Sequence, residues 1–134
     1  MTAVTIVAGE PTTTSKTEKK VAQVAIADGE LIINDTANSN KANLADYDAA
    51  ATEVVIGLCL NGGAAGQEIT YAKPGSIITV TTASFTAGVP YFLGNAGDIV
   101  PLADITGKRA VFVGWGLTTT TFLFDPVVPG VAAP

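Results

Sequence analysis

The runs VVIGLC (residues 54–59) and VFVGWG (111–116) are two versions of one apolar, glycine-broken pattern. Likewise, GQEITYAKPGSI (66–77) has a counterpart in GVPYFLGNAGDI (88–99). These runs are rich in β-branched and aromatic residues and are bounded by glycine-containing turns, which marks strands rather than helices. Residues 52–60 read as a central strand because the apolar run is continuous and stops at Asn61-Gly62-Gly63. Residues 67–72 alternate as a strand, Lys73-Pro74-Gly75 turns the chain back, and 76–82 continue the sheet. Tyr91–Leu93 pairs with Ile99–Val100 across Gly94–Gly97, and 109–117 forms a last hairpin with 121–124 across three threonines. Nine to eleven strands with short connections predict an all-β fold: a small antiparallel β-sandwich or β-barrel with an internal pseudo-repeat.

Outward from this centre the signals weaken. VAQVAI (21–26), ADGE (27–30) and LII (31–33) read as strand, turn and strand, a hairpin signal. LADYDAAA (44–51) has the composition of one or two helical turns, with an extended surface loop as the alternative. TTTSKTEKK (12–20) is too polar for a core. Residues 1–20 are therefore expected to be an extended N-terminal arm, with a first strand over Val4–Ala8 folded into the sheet as the alternative, 21–125 the β-domain and 126–134 a C-terminal tail.

Glycine inside a strand costs stability unless a bulge, a barrel bend or a close approach uses the missing side chain. Gly57, Gly114 and Gly116 therefore predict such features. Trp115, between two of them, is expected to pack in a core or subunit interface; ring stacking on a carbohydrate is the alternative. Tyr71 and Tyr91 are read as equivalent packing residues of the two repeats.

The 134 residues suit one domain. Eighteen threonines and 14 glycines favour strands and turns, and a net charge of −5 disfavours a nucleic-acid partner. There is no histidine, so imidazole bases, His-containing zinc sites and Ser-His-Asp or Cys-His arrangements are excluded within one chain. Cys59 is the single cysteine and reads as a buried, inert thiol. The loop NGGAAG (61–66) lacks the Lys-Ser or Lys-Thr of a phosphate-binding loop. The carboxylate pairs Asp28/Glu30 and Asp46/Asp48 are accounted for by turn formation and solvation, and are too sparse for calcium. No catalytic, cofactor or metal residues are expected. Apolar stretches are too short to span a bilayer as a helix, and residues 1–9 lack the basic and long apolar regions of a secretory signal, which suits synthesis in the cytoplasm.

A hydrophobic fraction of 48% against 14% charged residues is high for a small subunit standing alone and favours burial in an assembly; the alternative is that much of it is alanine, 21 residues that can sit on the surface at little cost. The expected partner contacts are Val4, Ile6 and Val7, docking in an apolar groove or on a sheet edge, and Lys16, Lys19 and Lys20, pairing with carboxylates. Trp115, Phe122, Phe124, Val127 and Val128 complete the set, the last four from a C-terminal segment expected to be exposed in a monomer. A homo-oligomer is the corresponding expectation.

VVIGLCLNGGAAGQEITYA (54–72), FTAGVPYFL (85–93), GDIVPLAD (97–104) and VGWGLTTTTFL (113–123) together resemble the small head-decoration, or capsid cement, proteins of tailed bacteriophages and prophages. The resemblance spans about residues 52–125. Cys59 and Trp115 depart from it, standing where that family has small or aliphatic residues. It implies a β-rich, non-enzymatic protein without cofactor that binds the outside of an icosahedral head and bridges major capsid proteins. It also implies a virion location and favours a trimer, with a dimer as the alternative. A carbohydrate- or host-surface-binding module of a phage tail or fibre is the competing reading.

Overall fold

The computed structural model describes residues 12–13, 17–48, 52, 54–80, 84–108 and 110–126. Val4, Ile6, Val7, Lys16, Val127 and Val128 lie outside the described residues. The chain is all-β. Its strands are β1 (Thr12–Thr13), β2 (Thr17–Val21), β3 (Leu31–Asp35), β4 (Lys41–Leu44), β5 (Gly57–Asn61) and β6 (Glu68–Ala72), followed by β7 (Ser76–Thr79), β8 (Pro90–Leu93), β9 (Ile99–Pro101), β10 (Phe112–Gly116) and β11 (Thr121–Phe124). Two antiparallel sheets result, one ordered β1-β7-β11-β10-β8-β9 and the other β2-β6-β5-β3-β4.

Period-two alternation assigns the two faces of each strand to different surroundings. Leu31, Ile33, Leu58 and Ala72 of the five-stranded sheet meet Ile78, Tyr91, Leu93, Val113, Phe122 and Phe124 of the six-stranded sheet in the main core. Phe122 lies at its centre, stacked on Phe85 at 4.9 Å and edge-on to Tyr91 at 6.0 Å. The alternate residues Ile32, Cys59, Ile69 and Tyr71 point the other way into a second, smaller core with Ala22, Ile26 and Ala42. That core is closed by the β2–β3 connection: Ala22 bridges Ala42 in parallel, the Gln23 N–H donates to the Ala42 carbonyl at 2.7 Å, and Ile26 and Gly63 exchange backbone hydrogen bonds at 2.9 Å. The five-stranded sheet is thereby rolled toward a barrel while still forming one layer of a sandwich.

Several local expectations are corrected. Residues 17–20 belong to no arm; they form β2, paired with β6 from Thr17↔Ala72 to Val21↔Glu68. An edge strand needs only its backbone for the ladder, so a polar run serves: Glu18 pairs with Lys73 at 2.7 Å, and the Lys20 ammonium donates to the Asn40 carbonyl at 2.9 Å. Of residues 21–26, Val21 ends β2 and 22–26 are the strap over the small core rather than one arm of a hairpin, and β3 pairs with β4 and β5 instead. Of the two readings of 44–51, helical turns or a surface loop, the described residues 44–48 follow the loop: Leu44 ends β4 and Tyr47–Asp48 is a turn. Asp46 accepts from the backbone N–H groups of Asp48 (3.0 Å) and Ala96 (3.2 Å), a local bonding pattern that competes with helix.

The pseudo-repeat takes a form of its own. Its motifs run in mirrored order, and each glycine-bearing strand lies beside a tyrosine-bearing one, β5 beside β6 and β10 beside β8. Both pairings contain a register shift, at Cys59/Asn61 and at Phe112/Gly114. The tyrosines are not equivalent, however. Tyr71 sits in the small core with its hydroxyl 3.3 Å from Glu18, whereas Tyr91 sits in the main core and accepts the Thr86 N–H at 2.9 Å. Gly57 is explained by close approach, since a Cβ there would lie 2.2 Å from the Tyr71 ring.

Candidate interaction face

β7, β8, β10 and β11 contain no Asp, Glu, Lys or Arg. Their inward residues fill the main core, which leaves the alternate residues on the outer face of the six-stranded sheet. In β7, half-buried Ile77 lies between buried Ser76 and Ile78; in β11, half-buried Leu123 lies between buried Phe122 and Phe124. Register aligns Ile77 with Leu123, Leu123 with Trp115, and Trp115 with Pro90, forming one apolar rung across four strands. Phe112 and Phe92 form a second pair beside it.

The bulge in β10 makes this face possible. Phe112 opposes Phe92 and Gly114 opposes Tyr91, so Val113 is the extra residue. Strict alternation would put Phe112 and Trp115, three positions apart, on opposite faces. One inserted residue instead returns Trp115 to the side of Phe112, a common use of a bulge. Their rings meet edge-on at 5.5 Å, and Phe112 meets Phe92 at 6.0 Å. Trp115 remains 43% exposed at the end of this aromatic row. The outer side of the other sheet is covered by the Ala22–Ile26 strap; here the 3-10 turn Leu102–Ile105 lies against the β8–β9 edge, where Val100, opposite Phe92, is buried.

Two expected contact residues are corrected by this parity. Phe122 and Phe124 are fully buried in the main core, and their neighbour Leu123 reaches the surface in their place. The exposed-tail expectation therefore fails for 122–124, which form β11. Lys19 and Lys20 lie on β2, in the other sheet, and are not brought together with Trp115. Ile77, Phe92, Phe112 and Leu123 were missed. The readable signal was parity around the buried runs SIIT, PYFL and TFLF, together with a glycine in β10 able to shift it.

Several polar contacts among the described residues tie loops to strands. The Asp28 carboxylate accepts the Gly62 N–H at 2.6 Å, tying the β2–β3 turn to the loop after β5. Lys108 pairs with Asp48 at 2.7 Å and lies over the Tyr47 ring. Burial pushes the Cys59 thiol up to about 12, with negative Asp28 adding to it, so thiolate chemistry at neutral pH is suppressed. Among the described residues no group of three His, Cys, Asp or Glu is placed to hold a metal ion. No family model matches the chain, and no curated protein matches it.

Glu30 and Asp98 are held above the usual carboxylate range, chiefly by burial; Asp98 adds to the shift of Glu30, and Asp46 to that of Asp98. A folded-state pKa raised above the unfolded value contributes stability that is full below the unfolded pKa and is lost as pH rises through the folded pKa. At neutral pH ionised Glu30 is therefore a cost. Glu30→Gln keeps an oxygen to accept the Ala27 N–H, which Glu30 now binds at 2.7 Å. The variant is expected to melt above the wild type at pH 7, with the gap closing below about pH 4. Thermal melts across this range check it, and a gap independent of pH would refute the electrostatic cause.

Proposed function

We propose that this chain is a non-enzymatic structural subunit that binds the outside of a bacteriophage icosahedral head, bridging major capsid proteins and stabilising the shell. The observation that carries the reading is the uncharged outer face of the six-stranded sheet, where Trp115, Phe112, Phe92, Leu123 and Ile77 line up. Such a face is suited to burial between protein subunits, which marks a component of an assembly rather than a chain that stands alone. The resemblance of residues 52–125 to head-decoration proteins supplies the identity of the assembly.

A sugar site combines an aromatic platform with a few placed hydrogen-bonding groups. The rung neighbours of Trp115 are Leu123 and Pro90, and its ring partner is Phe112, none with a polar side chain. That favours protein contact over the carbohydrate-binding alternative. A subunit that binds an assembled shell better than a disrupted one stabilises it by mass action. Purified protein mixed with undecorated expanded heads is expected to remain on the heads through sedimentation and to raise their rupture temperature. Absence of retention at micromolar protein would defeat the proposal.

A further inference from the structure

We infer that the outer face of the six-stranded sheet pairs with the same face of a second copy about a twofold axis, and that the pair is the unit this protein presents to its partners. Three observations carry it. First, four adjacent strands bring no charge to the face, although the chain as a whole carries −5. Contact through other surfaces brings like charges together, whereas contact through this one does not. Second, the face has two unlike halves: β7 and β11 offer the aliphatic residues Ile77 and Leu123, while β10 and β8 offer the aromatic residues Trp115, Phe112 and Phe92. Third, Trp115 is the most exposed of these side chains, at 43%, and is held from one side by Phe112.

A twofold between β11 and β10 sets each protruding Trp115 on Leu123 and Ile77 of the other copy, so unlike halves meet twice. This is the self-complementarity that a twofold contact requires. Sheets packed face to face lie about 10 Å apart, the thickness of two interdigitated side-chain layers. Four strands at about 4.8 Å spacing give a face roughly 15 Å across. That is small against the roughly 800 Å² per partner of a standard interface. Pairing is therefore expected in about the micromolar range.

The test uses the full chain without heads, so its failure is distinct from failure of the shell-binding proposal. Light scattering from about 1 µM to about 1 mM is expected to show the mass rising from one chain toward two. Trp115→Lys and Leu123→Glu should each stay monomeric while keeping the wild-type far-ultraviolet circular dichroism. Should Leu123→Glu not fold, Ile77→Glu replaces it, since Ile77 lies under the same indole in the pair.

Mixing the Lys variant with the Glu variant should restore pairing, because position 115 of one copy lies against position 123 of the other. A constant monomer mass to about 1 mM overturns the inference. So does a dimer indifferent to both substitutions, or a mixture that stays monomeric while the wild type pairs.

Discussion

Phe122→Ala is expected to cost about 3–5 kcal/mol, a large share of the stability of a domain this size. The ring is fully buried, stacked on Phe85 at 4.9 Å and edge-on to Tyr91 at 6.0 Å. Removing it deletes both aromatic contacts and leaves a cavity between two hydrogen-bonded sheets. Strand Thr121–Phe124 cannot sink to fill it, because it is laddered on both sides, to residues 76–79 and to 114–116. Urea unfolding measures the loss. A cost below about 1 kcal/mol would show that the ring is not at the centre of the core.

Gly114→Ala is the second large effect. A Cβ at this position would lie 2.0 Å from the Leu123 carbonyl oxygen and 2.7 Å from the tip of the Phe122 ring. The first obstacle is backbone in a ladder, so the strands must part rather than a side chain rotate. Overpacking of this kind costs typically 1–3 kcal/mol, and more where backbone must move. Relief by straightening the bulge would turn Trp115 away from Phe112. The expected result is a lower urea midpoint together with altered tryptophan emission in the folded state. Gly75→Ala serves as the contrast: φ is +91° there but nothing lies within 4 Å, so strain without collision should leave the emission unchanged. Wild-type stability and emission in the Gly114 variant would refute the close approach.

Much of the sheet architecture was legible because it depends on local pattern. Residues 57–61, 68–72, 76–79 and 112–116 are strands where continuous or alternating apolar runs place them, and the turns fall at Pro74-Gly75 and Thr118–Thr120. Polar strand 17–21 was not legible, since its place comes from backbone pairing with 68–72 rather than from any apolar face. The strap at 22–26 was misread for the opposite reason: its apolar residues serve a core that exists only once the sheet rolls. The interaction face was half legible. Trp115 stood out between two glycines, but Phe122 and Phe124 were assigned to the surface because composition cannot reveal parity. The bulge at Gly114 sets the parity of β10 by tertiary pairing with Tyr91.

The sheets also divide the chain in sequence. Residues 17–72 make the whole five-stranded sheet and its own small core, and 76–124 make all of the other sheet except Thr12–Thr13. During synthesis the first half can therefore roll up and bury Ile32, Cys59, Ile69 and Tyr71 before the second half has left the ribosome. Docking of the two layers comes later and buries the main core. Thr12 pairs with residue 79 of that second half, so the first of the described strands is among the last to find its place.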